Sequence, residues 1–281
     1  MGTLAASLLA ACSPARVLGL VQPAARGGEQ TDIPYAAGPR HAMDIYIPAA
    51  GPTPAPLVVF FYGGGWRSGS RSSYAFVGRA LAACGMMVAI PDYRVWPEAG
   101  FPDFLKDASA AVTVAREEAR RRGANPAKLF LMGHSAGAYI AAMLALDPEW
   151  LDRTSRSALA GMVGLAGPYD FLPLRDPVLE QIFAPVGPRT QPITFAANAV
   201  APMLLLSGND DSTVFPANSL RLAARVRGNG GRAETIFYPG IGHVGVLAAL
   251  ASPLHALAPV RDDVCGFLRQ PAGRSAAGVS G

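Results

Sequence analysis

Short apolar runs alternate along the chain with stretches in which apolar residues recur at helical spacing. Seven runs are continuous or β-branched enough to predict strands, as expected for strands buried on both faces of a sheet. They cover residues 42–47, 57–62, 86–91, 129–132, 160–165, 203–207 and 235–238. The alternation predicts an α/β fold: a mostly parallel central sheet with helices on both faces.

Helical periodicity fills several of the intervals between these runs. From Pro102 onward, apolar side chains at helical spacing predict a long helix, namely Phe104, Ala108, Ala111, Val112, Ala115 and Ala119. Residues 138–146, 217–226 and 259–268 also predict helices. Residues 166–200 interrupt the rhythm, because they are rich in Pro and Gly and show no strong period. We interpret them as a small lid over the carboxyl edge of the sheet, and call them the lid segment.

The composition is that of a globular protein and excludes a disordered or fibrous one. The chain has 281 residues, of which 51% are hydrophobic and 16% charged, enough to bury a sizeable core. We expect one domain over residues 29–270, followed by a flexible tail over 271–281. The net charge of +4 is small, and the densest basic run, residues 120–122, falls where cations complement a helix end. No nucleic-acid partner is predicted.

The N-terminus resembles an export signal. Residues 3–11 form a short apolar run, and Leu9-Ala10-Ala11-Cys12 is similar to the lipobox at which lipoprotein signals are cleaved and the cysteine lipidated. No Lys or Arg precedes the run, so an upstream start, an ordinary secretory signal and an inconsequential apolar tail remain open. We expect residues 1–28 to be a leader and tether, and the protein to be exported, periplasmic or membrane-attached through Cys12. A cytoplasmic location is the alternative.

Residues 133–137 carry the pattern most typical of chemistry. Gly-His-Ser-Ala-Gly follows the apolar run 129–132 and opens the helical run 138–146. A GxSxG sequence alone is weak, but between a strand and a helix it predicts a sharp turn that exposes the hydroxyl of Ser135. Flanking glycines let neighbouring chains approach without a Cβ clash. The amide of Ala136 then points to where a carbonyl oxygen becomes negative.

From residue 41 to 268 the chain resembles the α/β-hydrolase superfamily, and within it the small carboxylesterases near the hormone-sensitive-lipase and feruloyl-esterase groups. Phe61-Tyr62-Gly63-Gly64-Gly65-Trp66 stands where those enzymes carry HGGG(W). Asp92-Tyr93-Arg94, Pro97-Glu98 and Phe101-Pro102 are similar to their DYRxxPExxFP block. The resemblance implies that the amides of Gly64 and Gly65 join Ala136 in an oxyanion hole. Tyr62 departs from the pattern, because it replaces a histidine that braces this loop.

A serine needs a base and an orienting carboxylate, in the chain order Ser, Asp, His in this superfamily. Four histidines are present. His41 is expected at an exposed edge, and His134 lies in the elbow, pointing away from the serine. His243 follows the last predicted strand on a glycine-rich loop, where the superfamily places its base, and is the candidate; His255 is the alternative.

The orienting acid is expected after the strand 203–207. Residues 207–214, Ser-Gly-Asn-Asp-Asp-Ser-Thr-Val, resemble the family's HGxxDxxV, in which the aspartate three residues past the glycine belongs to the triad. That residue is Asp211. Its neighbour Asp210 is the alternative, with turn capping or a solvated charge as its other interpretation.

Three aromatic residues are candidates for substrate contact: Tyr62, Trp66 and Trp96. Core packing is an equally good interpretation of the two tryptophans. By the resemblance, Arg94 and Asp107 brace the site. No cofactor is predicted, since the chain has no GKS/T after its glycine loop and no histidine pair at metal spacing.

The three cysteines, Cys12, Cys84 and Cys265, show neither metal spacing nor a disulfide framework. In the expected fold the helices of Cys84 and Cys265 lie on the same face of the sheet. An exported protein could bridge them, but two buried free thiols are favoured.

The expected function is therefore serine-dependent cleavage of a small-molecule carboxylic ester. A lid of about 35 residues favours an open pocket for short-chain or aryl esters. Arylformamide hydrolases resemble the chain through the same loop and elbow, so formamide cleavage is an alternative. A non-catalytic binding protein that keeps the fold is another, and the oligomeric state is left open.

Overall fold

The computed structural model describes residues 22–269, and within them one sheet of eight strands. The strand order is β1-β2-β4-β3-β5-β6-β7-β8; β1 and β2 are antiparallel to their neighbours, and the remaining pairs are parallel. The strands are β1 (Glu29–Pro34), β2 (Ala42–Tyr46), β3 (Pro56–Phe61), β4 (Met87–Pro91), β5 (Asn125–His134), β6 (Leu159–Leu165), β7 (Met203–Gly208) and β8 (Ala233–Tyr238).

Helices connect the strands and cover the sheet. They are α1 (Ala75–Ala83), α2 (Asp103–Arg121), α3 (Ala136–Leu146), α4 (Arg153–Ser157), α5 (Pro177–Ile182), α6 (Ala217–Gly228), α7 (His243–Ala248) and α8 (Val260–Arg269). Short 3-10 helices cover Arg71–Tyr74, Pro188–Thr190, Pro192–Asn198 and Ser252–Leu257. All six residues of β3 and all eleven of α3 are buried, so the centre of the sheet is covered on both faces.

The α/β fold and all seven predicted strands are confirmed, with bounds that shift by up to four residues. The first strand, β1, was missed. Its sequence, Glu-Gln-Thr-Asp-Ile-Pro, is mostly polar and mostly exposed, as an edge strand permits. The basic run 120–122 does end a helix, since α2 stops at Arg121.

The parallel strands bring four loops to one edge of the sheet. β3 ends before the glycine loop, β5 ends at the elbow, β7 ends three residues before Asp211, and β8 ends five residues before His243. Ligands of open parallel sheets bind outside these carboxyl ends. The topology therefore collects the candidate site from four distant parts of the chain.

The lid segment, residues 166–200, holds α5 and two 3-10 helices and packs beside this edge. The hydroxyl of Tyr139, in α3, donates to the carbonyl oxygen of Thr190 at 2.8 Å. The amide of Phe101 donates to the carbonyl oxygen of Ile182 at 2.6 Å. The segment is thus fixed to the helix of the elbow and to the chain that enters α2.

Part of the expected tether contacts the domain. Gln22 is 7% exposed, and its side-chain carbonyl accepts a hydrogen bond from the amide of Ser252 at 2.6 Å. Gln22, which lies in the segment expected to be a tether, is thus packed against the domain. Cys12, the rest of the leader and the predicted tail 271–281 lie outside the described residues.

Cys84 and Cys265 form a disulfide, with their Cα atoms 5.8 Å apart. The preference for two free thiols was wrong, because the residue that follows α1 and the middle of α8 lie side by side. Arg269, at the end of α8, also donates from Nε to the carbonyl oxygen of Cys84 at 3.2 Å. Between residues 22 and 269, no helix is long and apolar enough to cross a bilayer.

Candidate active site

Ser135 stands on a strained turn between β5 and α3. Its backbone adopts φ 54° and ψ −122°, a combination that costs energy for a non-glycine residue. The flanking glycines are required by space: a Cβ on Gly133 would lie 2.2 Å from the oxygen of Gly137, and one on Gly137 would lie 2.0 Å from the oxygen of Phe61. The turn leaves Ser135 partly exposed above the strand ends.

Ser135, His243 and Asp211 form a continuous hydrogen-bonded relay. The Oγ atom of Ser135 lies 2.9 Å from Nε2 of His243, and Nδ1 of His243 lies 2.8 Å from Oδ2 of Asp211. The other carboxylate oxygen of Asp211 accepts from the amides of Thr213 at 2.9 Å and Val214 at 2.8 Å. With its side chain fully buried and both oxygens occupied, this carboxylate holds the imidazole in one orientation.

The alternative acid and base lie outside the relay. Asp210 is exposed, and its amide donates to the oxygen of Ile241 at 3.0 Å. His255 is exposed, in the 3-10 helix Ser252–Leu257. His41 is not an exposed edge residue as expected: its side chain is 13% exposed, with Nε2 3.2 Å from Oδ1 of Asp107.

The glycine loop after β3 has a backbone conformation that favours glycine. Gly64 has φ 138° and Gly65 has φ 61°. The carbonyl oxygen of Gly64 closes the turn by accepting from the amides of Arg67 and Ser68, each at 3.1 Å. The two hydrogen bonds that close this turn use the carbonyl oxygen of Gly64 and neither the amide of Gly64 nor that of Gly65. Ala136 opens α3, and the first amide of a helix has no partner inside it.

Tyr62 lies beneath this loop and does not line a substrate pocket. Its side chain is fully buried, so the prediction that it contacts substrate is wrong. Its hydroxyl donates to Oδ1 of Asp92 at 2.8 Å, and its ring stacks on that of Tyr93 with centroids 4.6 Å apart. The hydroxyl of Tyr93 returns a bond to the carbonyl oxygen of Tyr62 at 2.7 Å. Tyr62 thus supports the loop at the position where the family pattern has a histidine.

Asp92 links Tyr62 to a network of charges that sequence reasoning did not find. Arg71 donates to Asp92 from its amide at 2.8 Å and also from its guanidinium. Its Nε donates to Asp44 at 2.8 Å. Burial raises the pKa of Asp44 despite its bonds to Arg71. The only sequence signal was Asp92 itself, at the head of the Asp-Tyr-Arg motif.

Arg40 completes this support from the outside of the loop. Its guanidinium donates to the hydroxyl of Tyr62 at 3.1 Å and to the carbonyl oxygen of Gly69 at 2.8 Å. Both ends of the glycine loop are thereby tied to one side chain. Separately, Arg94 grips Asp107 through Nε at 2.9 Å and Nη2 at 2.7 Å, the brace that the resemblance implied.

The side chain of Trp66 packs against buried aromatic rings on the inner side of the loop. It is 4% exposed, and its ring meets those of Tyr139 and Phe183 edge to face, with centroids 5.3 and 4.8 Å apart. Of the two interpretations, core packing describes Trp66. Trp96 is half-buried, and its amide donates to the carbonyl oxygen of Trp66 at 2.8 Å. Phe171, from the lid segment, is a half-buried member of the same aromatic cluster.

Among residues 22–269, no group of three or more His, Cys, Asp or Glu is placed to hold a metal ion. What the arrangement can do is activate a hydroxyl. A serine bonded to an imidazole, itself held by a buried carboxylate, is the constellation of nucleophilic acyl transfer.

The family model BD-FAE matches residues 43–226, well over half of the chain. Among curated proteins, a "Probable isoprenylcysteine alpha-carbonyl methylesterase ICME" of Oryza sativa subsp. japonica is 32% identical over 244 residues, 78% of this chain and 58% of the relative. The kynurenine formamidase of Salmo salar is 30% identical over 153 residues, 53% of this chain and 50% of the relative. The chain thus spans less than two thirds of the length of these relatives.

Solved structures share the fold. The apo form of Thermogutta terrifontis esterase 2 superimposes with a TM-score of 0.72 at 24% identity, over 88% of this chain and 95% of that one. At this identity the likeness concerns architecture. The eight-stranded sheet and its helices are those of the α/β-hydrolase fold.

Proposed function

The chain belongs to the BD-FAE family of α/β-hydrolase-fold proteins, and from this premise we propose that it is a serine hydrolase that cleaves carboxylic esters. The observation that carries the proposal is the relay of 2.9 Å from Ser135 to His243 and 2.8 Å from His243 to Asp211. Esterase names among the relatives, such as the Oryza methylesterase, support the same bond type.

In the proposed reaction Ser135 attacks the ester carbonyl carbon while His243 takes the serine proton at Nε2. The carbonyl oxygen becomes negative and accepts from the amides of Gly64, Gly65 and Ala136. His243 then gives the proton to the departing alkoxide, and the alcohol leaves. Asp211 holds the tautomer of His243 and stabilises the imidazolium, without taking the proton itself.

Water completes the cycle. His243 takes a proton from the water, which attacks the acyl-enzyme, and returns that proton to Ser135 as the acid leaves. The lid segment is short, and the side chain of Trp66 is buried within the aromatic cluster beside it. For these reasons we propose short-chain or aryl esters as substrates. Trp96 and Phe171 are half-buried aromatic side chains, and the ring of Phe171 stacks on that of Trp66 with centroids 6.1 Å apart. Both are our candidates for substrate contact.

The test is hydrolysis of p-nitrophenyl esters from acetate to palmitate by the full chain and by Ser135→Ala. We expect turnover to peak at short acyl chains and to fall by about 10⁶-fold in kcat in the variant. A fluorophosphonate probe should label Ser135. A folded wild-type chain that neither cleaves an ester nor accepts the probe would contradict the proposal and favour a binding protein.

A second candidate is formamide cleavage, favoured by the similarity to the kynurenine formamidase of Salmo salar. The same nucleophile and oxyanion donors serve a formyl amide. Comparing kcat/KM for N-formylkynurenine and p-nitrophenyl acetate separates the two, since an esterase prefers the ester and a formamidase the formamide. Probe labelling of Ser135 without ester turnover would direct the search to formamides.

We also propose that the protein works outside the cytoplasm. The disulfide between Cys84 and Cys265 supports this, because disulfides persist in oxidising compartments, and the lipobox-like residues 9–12 agree with export. Intact mass of the mature protein distinguishes a lipidated Cys12, a cleaved secretory signal and an unprocessed chain. An unprocessed chain with both cysteines alkylated in acid-quenched cells would contradict export.

A further inference from the structure

A histidine that the proposed reaction does not use lies directly beside the one that it does. His134 precedes Ser135 in the elbow and is 4% exposed. Its ring centroid lies 4.8 Å from that of His243. The side chain is directed at the main chain of His243: its Nε2 lies 3.0 Å from the carbonyl oxygen of that residue. The elbow and the loop of the base are therefore in direct contact through a residue on each.

The chemistry of this contact fixes where the proton of His134 resides. A carbonyl oxygen only accepts, so Nε2 must carry the hydrogen and donate it. Nδ1 is buried and has no partner in the described residues. It faces Gly63, where an added Cβ would lie 3.0 Å away. A second proton on Nδ1 would be a buried, unpaired donor beside the base.

The burial of Nδ1 and the bond of Nε2 thus favour a neutral His134 that donates from Nε2. Burial lowers its pKa to about 3. The positive charge of a protonated His243 also lowers this pKa, and its effect is larger than the opposing effect of the hydrogen bond to the backbone of His243. A neutral ring is what this position requires. A permanent cation 4.8 Å away would oppose the imidazolium that His243 forms during the reaction.

The main chain at His243 lies where a glycine-containing loop passes into a short helix. His243 is the first residue of α7, which spans only six residues, too few to form a helix without outside contacts. The loop before it contains Gly240, with φ 72°, and Gly242. An error of about 1 Å in the position of a catalytic group can cost about 100-fold in rate. A contact that fixes this residue from outside the loop thus has a kinetic consequence.

We propose that His134 is a positioning residue for the base: its Nε2–H holds the carbonyl group of His243, so that the His243 imidazole stays between Asp211 and Ser135. The inference rests on the proposed function for its kinetic consequence, but its structural core does not. It assigns a role to the second residue of the GxSxG pentapeptide, to which the sequence analysis gave none.

The test compares two side chains of similar length in the full chain, His134→Gln and His134→Met. The Gln amide nitrogen reaches the place of Nε2 and can donate, whereas Met cannot. We expect kcat on a p-nitrophenyl ester within about 3-fold of wild type for Gln, and a loss of about 10- to 100-fold for Met, from misplacement of the base. KM should stay within about 2-fold in both, because the contact lies behind the base and not on the substrate.

Equal activity of the two variants, whether retained or lost, would overturn the proposal when circular dichroism shows that both are folded. Retention would mean that the bond is dispensable, and an equal loss that the imidazole is needed for something other than donation. A melting-temperature loss without a change in kcat of the folded protein would assign a merely structural role.

If both variants fail to fold, a measurement on the wild-type protein tests the proposal. Nitrogen-15 NMR of labelled histidines should show His134 protonated at Nε2 and unprotonated at Nδ1 from pH 5 to 9. The opposite tautomer, or titration within that range, would overturn the inference. This readout is also independent of ester turnover: a wild-type protein without esterase activity would defeat the proposed function, whereas the tautomer would still test the contact between His134 and His243.

Discussion

The phenol of Tyr62 donates to Oδ1 of Asp92 at 2.8 Å from beneath the glycine loop. Both residues are buried, and the bond to a carboxylate is of the stronger, charge-assisted kind. Burial raises the pKa of Tyr62, and the charge of Asp92 raises it further, so the hydroxyl remains a donor. The position of the proposed oxyanion donors is therefore tied to the Asp-Tyr-Arg motif of the next strand.

Tyr62→Phe should lower both stability and rate. It removes a buried hydrogen bond to a charged group, which we expect to cost about 1.5–3 kcal/mol of unfolding free energy. It also frees one anchor of the loop, so kcat on a short ester should fall by about 10-fold. Chemical denaturation and steady-state kinetics measure the two effects.

Tyr74→Phe is the matched control. Tyr74 stacks on Tyr62 with ring centroids 5.4 Å apart, but its hydroxyl makes only a long bond of 3.4 Å to the oxygen of Gly63. Removing that hydroxyl should change stability by less than about 0.5 kcal/mol. Equal effects of the two substitutions would show that ring stacking, and not the bond to Asp92, supports the loop.

The two neighbouring aspartates after β7 should differ sharply in their effect on rate. Asp211→Asn keeps the shape but presents the wrong partner to Nδ1 of His243, so kcat should fall by about 10⁴-fold. Asp210 is exposed, and Asp210→Asn should leave kcat within about 2-fold. Measured kcat values of similar size for both variants would contradict the assignment of the acid.

The residues of this site that could be predicted from the sequence are those whose position depends on the order of the strands along the chain. Ser135, Asp211 and His243 each follow a strand that its apolar run identified, and parallel strands bring such loops to one edge. The sequence did not predict the bond between Arg71 and Asp92, nor that between His134 and the backbone of His243. Those bonds depend on side-chain directions between segments up to 109 residues apart, and no local period records them.

The disulfide and β1 were missed for different reasons. Cys84 and Cys265 are 181 residues apart, so their pairing depends on how two helices pack on one face. β1 lacks an apolar run because it lies at the sheet edge and is mostly exposed. Periodicity detects burial, and an edge strand with one neighbour offers little of it.

Loss of the disulfide should destabilise the protein while leaving its chemistry intact. The bridge closes a loop of 181 residues, and cross-links of this kind contribute about 2–5 kcal/mol, chiefly by restricting the unfolded chain. Cys84→Ser combined with Cys265→Ser should lower the melting temperature, with kcat at 25 °C unchanged. Reduction of the wild-type protein by dithiothreitol should give the same shift. A double variant as stable as wild type would mean that the bridge contributes nothing to stability.

The low pKa of His134 should make the protein lose stability in acid. Burial, followed by the charge of His243, lowers the pKa to about 3, whereas an unfolded histidine titrates near pH 6.5. Between these values the unfolded chain binds the proton and the native protein does not, so the free energy of unfolding rises with pH. The contribution is fully present above about pH 6.5 and is lost by about 1.4 kcal/mol per pH unit on going down towards pH 3.

His134→Gln isolates the contribution of His134 to the pH dependence of unfolding, because glutamine titrates in neither the folded nor the unfolded state. The difference in unfolding free energy, wild type minus variant, should therefore shrink steadily from pH 7 to pH 4. Urea denaturation at each pH measures it, and carboxylates common to both proteins cancel. A difference that stays constant over this range would show that native His134 titrates normally.

The two glycines of the proposed oxyanion hole should tolerate alanine very differently. Gly64 has φ 138°, and a Cβ there would lie 2.1 Å from the carbonyl oxygen of Ser68, a backbone atom of the turn that Gly64 itself closes. Gly65 has φ 61°, the left-handed region, and a Cβ there meets nothing nearer than Nε of Arg67 at 3.8 Å. Gly64→Ala must therefore open the turn, whereas Gly65→Ala only incurs about 1–2 kcal/mol of backbone strain.

Both substitutions keep the backbone amide, so any difference in rate reports loop geometry and not a missing group. Displacing one oxyanion donor costs about 10²–10³-fold in kcat, which is the loss expected for Gly64→Ala. Gly65→Ala should keep at least about a tenth of the wild-type kcat, because its amide can stay in place. The comparison requires kcat on p-nitrophenyl acetate for both folded variants. A larger loss for Gly65→Ala than for Gly64→Ala would mean that the space beside Gly65 is occupied by substrate during the reaction.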